Sequence, residues 1–438
     1  MFVLMALRLP VAVAMLVTGF LGTVVANATK FMSFGMDPAQ SWARGWRIAF
    51  SNLSGETFEA ASNYNLLVIP MFVLMGNIAG ASGMSSDLFR AAYQWMGHLR
   101  GGLASATVTA CAGFAALSGS SLASAVTMGR VALPAMRRYK YDDALATGSV
   151  AAGGTLGFLI PPSGGMIIYA VLTEQSIGRL FMAGVIPGIL LTCLFVAAIT
   201  LIVIRNPEAG PRGEPAPWPD RWRALIDALP ILFVVFLTIG GMYTGFFTPV
   251  EASSVGAFFT FVMAVARRRL TLLDLRAVVF QTMSATATIF LILIGAFVFI
   301  PFMSLTEIPA RLVTLLTDLP IGELGVLLVI VAAYLVLGMF LDTMAMLVLT
   351  IPVVIPIAIG LDWDLIWFGI IVVIALEMGM ISPPVGINVF IVKSIAPDVP
   401  MARIFAGIWP FWFAMLIMIL LLVAAPDLAL FLPRQVVG

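Results

Sequence analysis

Long apolar stretches alternate with short polar segments along almost the whole chain. A helix needs about 20 mostly apolar residues to cross a bilayer, so each long stretch is a candidate span. The first stretch exceeds a signal-peptide core and lacks a convincing cleavage site before Asn27, so we expect it to be retained. Seven stretches bounded by clustered charges or by proline and glycine each predict one spanning helix: 2–26, 63–81, 177–204, 227–245, 250–266, 283–303 and 403–424.

Two other apolar stretches are interrupted by a short polar loop, and each predicts a helical hairpin. Leu103–Met136 is interrupted at Ser118–Ser121, and Leu324–Ile359 is interrupted at Asp342–Thr343. An apolar run containing a proline pair follows each hairpin. Because proline lacks the backbone N–H and clashes with the preceding turn, each of these helices must unwind at its pair. The two breaks read GFLIPPSG at 157–164 and GMISPPVG at 379–386.

The two halves of the chain match at a fixed shift of 222 residues (356 − 134), across the polar, proline-rich linker Arg205–Arg223. Between the two hairpins lie one broken helix and four spans, which is an odd number of crossings. The repeats are therefore expected to be inverted, as in many secondary transporters. The matched positions are Pro134 with Pro356, Gly157 with Gly379, Pro161–Pro162 with Pro383–Pro384, Gly164 with Gly386, and Ser120 with Asp342.

Loop charges agree with this topology, because basic residues collect on the cytoplasmic side of membrane proteins. The basic residues of 137–140, 205–223 and 267–269 are expected on that face together with the N-terminus. Two segments that mix charged and apolar residues, Ser85–Arg100 and Leu270–Gln281, predict helices lying in the membrane interface. The opposite face, with the C-terminus, is expected to carry Glu307, Asp318, Glu323, Asp362 and Asp364.

The composition excludes a soluble domain, since 61% of the residues are hydrophobic and only 10% are charged. We therefore expect an all-α polytopic membrane protein. The 23 basic and 22 acidic residues nearly balance and provide no field that would recruit nucleic acid. Cys111 and Cys193 lie in apolar segments without a CxxC motif, which favours small buried hydrophobic side chains over a disulfide.

The breaks and hairpin tips are where chemistry is expected. Backbone polar groups unpaired in hydrocarbon are tolerated only when they are buried or line an aqueous cavity. Carbonyls freed at a proline break can bind a cation, and helix N-termini at the tips suit a carboxylate. Two such half-sites facing each other at mid-membrane would bind an organic anion together with sodium.

Individual residues have competing interpretations. The Ser118–Ser121 loop is either a ligand-binding tip or a Ser/Gly turn that lets helices pack. Asp342 either faces a cation or pairs with a basic or backbone group. Glu377 either supports hairpin 2 structurally or helps to couple ions. Asn388, just after the second break, can offer a donor and an acceptor to a ligand.

Several strings together resemble the large membrane subunit of tripartite ATP-independent periplasmic (TRAP) transporters, the DctM-like family. The resemblance covers nearly the whole chain, and no single string is specific alone. In this family pattern, Arg130 places a charge in hairpin 1 where a small residue is usual. The strings are Ile69–Asn77, Gly97–Gly102, Gly157–Ser163, Thr173–Phe181, Phe247–Ala252 and Gly379–Gly386.

The resemblance implies a sodium-coupled elevator, in which a transport domain slides against a scaffold domain in the bacterial cytoplasmic (inner) membrane. It implies two partners, a small four-helix membrane subunit (DctQ-like) and a periplasmic substrate-binding protein (DctP-like). It implies no cofactor apart from sodium. The sodium ligands map to Ser118, Gly119, Gly157, Ile160, Pro162, Asp342, Gly379, Ser382 and Pro384. The substrate-binding candidates are Ser120, Ser121, Thr343, Asn388 and Gly164.

The expected function is sodium-coupled uptake of a small organic anion, with a dicarboxylate or a sugar acid as the expected class. The alternatives are a related carrier that needs no binding protein, a pore and an intramembrane enzyme. One histidine and the absence of HExxH and GxSxG disfavour the enzyme. The expected division of the chain is scaffold 1–100, repeat 1 101–204, linker 205–223, scaffold 224–322, repeat 2 323–426 and tail 427–438.

Overall fold

A computed structural model describes residues 1–317 and 320–435, and these ranges contain only helices and connecting loops. The all-helical polytopic fold is therefore confirmed. Asp318 and the last residues of the tail, 436–438, lie outside the described ranges. Nine helical stretches in the described ranges are long and apolar enough to cross a membrane, and two of them, Tyr64–Ala81 and Asp143–Leu172, each join two consecutive helices. The other seven are Val11–Ser33, Ile177–Arg205, Trp218–Tyr243, Pro249–Ala266, Leu272–Leu305, Thr343–Gly360 and Met401–Ala424.

The N-terminal region departs most from the expected pattern. A first spanning helix is present, but its predicted bounds, 2–26, are wrong: it covers Val11–Ser33. The helix is interrupted before Pro10, because proline lacks an N–H and disfavours helix in the residue before it. A 25-residue helix follows that the apolar pattern did not predict. Its Trp46 and Phe50 pack around Phe20, with ring centroids 5.8 and 5.1 Å away. The helices are α1 Phe2–Ala6, α2 Val11–Ser33, α3 Pro38–Ser62, α4 Val68–Ala81 and α5 Met84–Met96.

The first hairpin and the first broken helix have the expected form. Gly119, at φ +57°, ends the first limb of the hairpin, and the Ser120 side chain caps the second limb. The long helix after the break carries Cys193, which is exposed and not buried as expected, because that helix turns an apolar face outward. The helices are α6 Gly102–Ser118, α7 Ser121–Arg138, α8 Asp143–Leu159, α9 Gly164–Leu172 and α10 Ile177–Arg205.

The middle of the chain differs from expectation at one helix. The predicted interfacial segment 270–281 and the predicted span 283–303 form one continuous helix, because no glycine or proline separates them and the helix is capped only at Thr271. The linker also packs against the protein, since Ala209 and Gly210 are buried. The helices are α11 Trp218–Tyr243, α12 Pro249–Ala266, α13 Leu272–Leu305 and α14 Ile308–Thr317.

The second half repeats the helix pattern of the first. The two hairpins and the two broken helices have limbs of 17, 18, 17 and 9 residues in both halves. The second and third helices of each set start 222 residues apart (343 − 121 and 365 − 143). The inverted orientation of the repeats stays a prediction. The helices are α15 Gly322–Gly338, α16 Thr343–Gly360, α17 Leu365–Ile381, α18 Ile387–Ile395, α19 Met401–Ala424 and α20 Asp427–Leu430.

The centre of the molecule consists of α8 and α17, which are buried along almost their whole lengths. Helix α8 approaches α19 so closely that a Cβ on Gly407 would meet the carbonyl of Ala144. Around this centre, α4 and α13 are joined by a 2.9 Å hydrogen bond from Asn77 to Thr282. These two helices form one wall of the cavity described below.

The basic loops meet at one end of the molecule. The Tyr141 hydroxyl donates to the Pro211 carbonyl at 3.0 Å, which joins the base of hairpin 1 to the linker. The carboxylate of Asp87, only 2% exposed, accepts from Arg267 at 3.2 Å and from Arg269. Helix α5, which carries Asp87, also reaches the base of hairpin 1, where the Tyr93 hydroxyl donates to the Tyr139 hydroxyl at 2.8 Å. The three basic segments that the charge pattern assigns to one face therefore lie near one another.

Candidate functional site

The tip of hairpin 1 rests on the first proline break. The backbone N–H of Gly164 donates to the carbonyl of Gly119 at 3.2 Å. A Cβ on Gly119 would lie 2.8 Å from the Pro162 carbonyl oxygen, so the approach leaves no room for a side chain. Ser118 and Ser124 share a hydrogen bond of 2.9 Å across the tip. The direct backbone contact confirms the prediction that the hairpin 1 tip and the first proline break are neighbours.

The end of α8 closes against the same tip. A Cβ on Gly157 would lie 2.6 Å from the Ser120 carbonyl oxygen and 2.8 Å from the Ser124 hydroxyl. Glycine is required here because two backbones meet. Beyond it the chain becomes extended at Ile160, and the buried Ser163 hydroxyl donates to the Phe158 carbonyl at 2.6 Å. The break therefore has a defined backbone path of its own.

The second half-site is more open than the first. Asp342 is exposed, and one of its carboxylate oxygens caps α16 by accepting from Met344 N–H at 3.0 Å and Ala345 N–H at 3.3 Å. Pro384 is also exposed, whereas both prolines of the first break are buried. One contact that joins this hairpin to its broken helix is between Gly338 and Gly379, where an added Cβ would lie 2.8 Å from the facing Cα.

Ser382 and Asn388 flank the second break and are both buried. The Ser382 hydroxyl donates to the Met378 carbonyl at 2.7 Å and accepts from the Trp412 indole at 3.0 Å. The side-chain oxygen and nitrogen of Asn388 find no hydrogen-bond partner within the described residues. Because buried polar atoms are nearly always paired, Asn388 has unused donor and acceptor capacity at this point of the fold.

Glu377 lies between the first residues of two hairpin limbs. It is 1% exposed on α17, and its Oε1 accepts from the Ser121 hydroxyl at 2.7 Å. The Thr343 hydroxyl lies beside the same carboxylate and contacts the sulfur of Met380. Of the two interpretations of Glu377, support of the hairpins is the one these contacts favour. Helix α17 thereby connects the tips of both repeats.

A cavity of about 760 Å³ lies between hairpin 1 and the wall formed by α4 and α13. Ser120 is the N-cap of α7, Gly164 is the first residue of α9, and Met344 is the second residue of α16. All three line the cavity, so three helix N-termini from both halves of the chain reach one space. The partial positive charge of helix N-termini makes such a place suited to an anion.

The cavity separates the predicted substrate residues into two groups. Ser120 and Gly164 line it, whereas Ser121, Thr343 and Asn388 are buried outside its lining. From the predicted sodium set, Ser118 and Gly119 reach the lining, and Gly157, Ile160, Pro162, Asp342, Gly379, Ser382 and Pro384 do not. Their roles as ligands stay predictions.

Other lining residues were not among the predicted site residues. They include Asn77 and Gln281 on the wall formed by α4 and α13, and Thr127 and Arg130 on α7. The signal available was the spacing of two polar residues on α7, because Thr127 and Arg130 are three positions apart and share one helix face. Which helices lie opposite this face of α7 depends on the packing of segments that are distant in the sequence.

A family model described as "Tripartite ATP-independent periplasmic transporter, DctM component" matches residues 1–428. The C4-dicarboxylate TRAP transporter large permease protein DctM of Pseudomonas aeruginosa is 34% identical over 385 residues, covering 87% of this chain and 89% of the relative. The sialic acid TRAP transporter large permease protein SiaM of Vibrio cholerae is 30% identical, covering 89% and 92%.

Two further comparisons extend this result. The ectoine/5-hydroxyectoine TRAP transporter large permease protein UehC of Ruegeria pomeroyi is 32% identical, covering 84% of this chain and 86% of the relative. Among solved structures, the YdaH transporter of Alcanivorax borkumensis superposes with a TM-score of 0.61 at 16% identity, covering 90% of this chain and 89% of that structure. At this identity the likeness concerns the fold alone.

Proposed function

We propose an uptake function for this chain, which belongs to the DctM component family of tripartite ATP-independent periplasmic transporters. It is a membrane transport subunit and not an enzyme, as the names of its relatives indicate. The finer proposal is that it moves a small organic anion, a carboxylate, into the cell and uses a sodium gradient to do so. The cytoplasmic membrane of a bacterium is the proposed location.

One observation carries the proposal for an anion. The cavity of about 760 Å³ receives the N-termini of α7, α9 and α16 together with the polar Ser118–Ser120 tip. The dipoles of α7 and α9 favour negative charge in the same place. The N-terminus of α16 contributes less, because the Asp342 carboxylate already accepts from its Met344 and Ala345 N–H groups. The relatives named for C4-dicarboxylates and sialic acid act on carboxylates, which agrees with this chemistry.

Sodium would bind at the two proline breaks, and Ser118 and Gly119 of the predicted sodium set are shared with the cavity lining. Two contacts support this proposal: the Pro162 carbonyl of the first break lies beside Gly119 of the hairpin 1 tip, and Gly379 at the second break faces Gly338 of hairpin 2. Hard cations prefer oxygen ligands such as carbonyls and carboxylates. The family pattern adds an elevator movement of hairpins and broken helices against the α2–α4 and α11–α13 scaffold, and this movement is part of the proposal.

Two partner proteins complete the proposed transporter. The family name implies a tripartite system, so we propose a small membrane subunit and a periplasmic binding protein that delivers the substrate. A relative from Oleidesulfovibrio alaskensis, of whose length this chain covers 53%, is named "Isethionate TRAP transporter permease protein DctMQ", which agrees with a membrane subunit that works beside this one. The binding protein would hold much of the substrate selectivity.

Uptake by the reconstituted three-protein system tests the proposal. Proteoliposomes with this chain and its small subunit are given binding protein and radiolabelled C4-dicarboxylates, sialic acid or ectoine, with and without an inward sodium gradient. We expect uptake of at least one carboxylate that needs all three proteins and the gradient. Uptake without sodium would remove the coupling proposal. Uptake by this chain alone would favour the carrier that needs no binding protein.

A further inference from the structure

Arg130 is a cationic side chain on the wall of the anion cavity, and we propose that it is a second anion-binding position. It would bind the far acidic group of a substrate whose near acidic group lies at the hairpin 1 tip. The inference rests on the proposed uptake function and narrows its substrate class to small molecules with two acidic groups.

The position of Arg130 follows from the geometry of α7. Ala123, Thr127 and Arg130 are spaced by four and three residues, so they share one face, and all three line the cavity. Arg130 is ten residues beyond the N-cap Ser120, which places its Cα about 15 Å along the helix at 1.5 Å per residue. The Cα–Cβ bond of a helical residue tilts toward the helix N-terminus, so the long side chain can shorten this distance.

Among the described residues, the charged groups near Arg130 leave its guanidinium able to bind an anionic ligand. No ion pair to Arg130 occurs within residues 1–317 and 320–435, and its side chain is exposed. The facing wall carries one carboxylate, Asp274, which already accepts from the backbone N–H of Thr271 at 3.0 Å and from its hydroxyl at 2.6 Å. The wall's other polar side chains include Asn77, which is bonded to Thr282.

An unpaired arginine that lines a cavity between helices of a membrane protein needs an explanation. Charged side chains are costly there unless they are paired or face a water-filled cavity, and they mark substrate pathways. The guanidinium presents five donors in a planar fork that fits a carboxylate with two parallel hydrogen bonds. Together with the helix N-termini at the tip, it gives the cavity two separate places for negative charge.

Cysteine labelling tests the inference without requiring transport. In the full-length chain purified in detergent, Cys193 is replaced by alanine, the buried Cys111 is kept, and Thr127→Cys supplies a thiol beside Arg130. Labelling rates are measured with an anionic and a cationic methanethiosulfonate. We expect Arg130→Gln to lower the anionic-to-cationic rate ratio at least about fivefold, because the local positive charge is lost. The matched control Arg138→Gln, on the same helix outside the cavity lining, should leave the ratio within about twofold.

Succinate and butyrate then distinguish a dianion site from a general positive field. Succinate should slow labelling of Thr127→Cys when Arg130 is present and fail to do so in the Arg130→Gln chain, whereas butyrate should have little effect in either. An unchanged rate ratio in Arg130→Gln, equal protection by both acids, or no labelling by either reagent would each overturn the inference. Failure of uptake in the three-protein assay, with the labelling pattern intact, would instead count against the proposed transport function.

Discussion

The Ser121 hydroxyl donates a 2.7 Å hydrogen bond to the carboxylate of Glu377, a residue 256 positions away in the other half of the chain. Ser121 begins the second limb of hairpin 1, and Glu377 precedes the second proline break on α17. Since Thr343 of hairpin 2 lies beside the same carboxylate, one buried side chain contacts both hairpin tips. The two halves of the site are therefore physically connected.

Loss of the Ser121 hydroxyl should lower the stability of the folded protein, because it removes the hydrogen bond that joins the two halves. In Ser121→Ala the Glu377 oxygen loses its donor in a buried place, which costs about 1–3 kcal/mol. We expect a lower thermal unfolding midpoint in detergent. The matched control is Ser254→Ala, whose hydroxyl bonds only to the Val250 carbonyl of its own helix, and it should change the free energy of unfolding by no more than about 0.5 kcal/mol. Equal effects of the two substitutions would contradict the bridging role.

Gly119→Ala should disrupt the contact between the hairpin 1 tip and the first break. The new Cβ would lie 2.8 Å from the Pro162 carbonyl oxygen, so the tip must move. Gly245→Ala is the control, because Gly245 also has positive φ, at +72°, but nothing lies within 4 Å of an added Cβ. Both variants carry about 1–2 kcal/mol of backbone strain. Uptake in proteoliposomes should fall at least about tenfold only for Gly119→Ala, and similar losses in both would assign the effect to strain.

Asp342→Asn separates the charge of Asp342 from its capping role. Asparagine caps helices as well as aspartate does, so α16 should stay intact while the negative charge is lost. We expect the sodium concentration for half-maximal uptake to rise at least about tenfold, which corresponds to about 1.4 kcal/mol of lost binding. Asp364→Asn removes the charge from another cap of the same geometry, at 2.8 and 3.1 Å, and should leave the sodium response unchanged. An unchanged response in Asp342→Asn would exclude Asp342 as a sodium ligand.

The two arginines that share Asp87 should act non-additively. Either Arg267→Ala or Arg269→Ala leaves one cation on the buried carboxylate, whereas the double variant leaves Asp87 unpaired. Breaking a buried ion pair by removing one side costs about 3–5 kcal/mol, and we expect this loss only in the double variant. Thermal unfolding of the singles, the double and the exposed control Arg223→Ala measures it. Additive losses would mean that the arginines act independently.

The inverted orientation of the repeats is testable by labelling from each side of the membrane. Arg212 lies in the linker that contacts the base of hairpin 1, and Glu323 lies in the first turn at the base of hairpin 2. In a Cys193→Ala background, Arg212→Cys should react with an impermeant thiol reagent only from the cytoplasm and Glu323→Cys only from the periplasm. Reaction of both from one side would make the repeats parallel.

Local patterns in the sequence were sufficient to predict most helices, both hairpins and both proline breaks. Proline pairs interrupt a helix through their own covalent structure, and a span reveals itself by about 20 apolar residues in a row. The same reasoning missed α3, because its few large apolar residues are separated by polar and small ones and form no continuous apolar stretch. It also divided α13 in two, because charge near Asp274 and Arg276 resembled an interfacial segment.

Tertiary structure alone decided which side chains share a space. The Ser121–Glu377 bond, the wall that faces Arg130 and the exposure of Asp342 depend on how segments far apart in the sequence pack together. Helix formation depends on neighbours within one or two turns, so the local sequence is sufficient to predict it. Packing depends on the shapes and directions of several helices at once, and no local pattern specifies that arrangement.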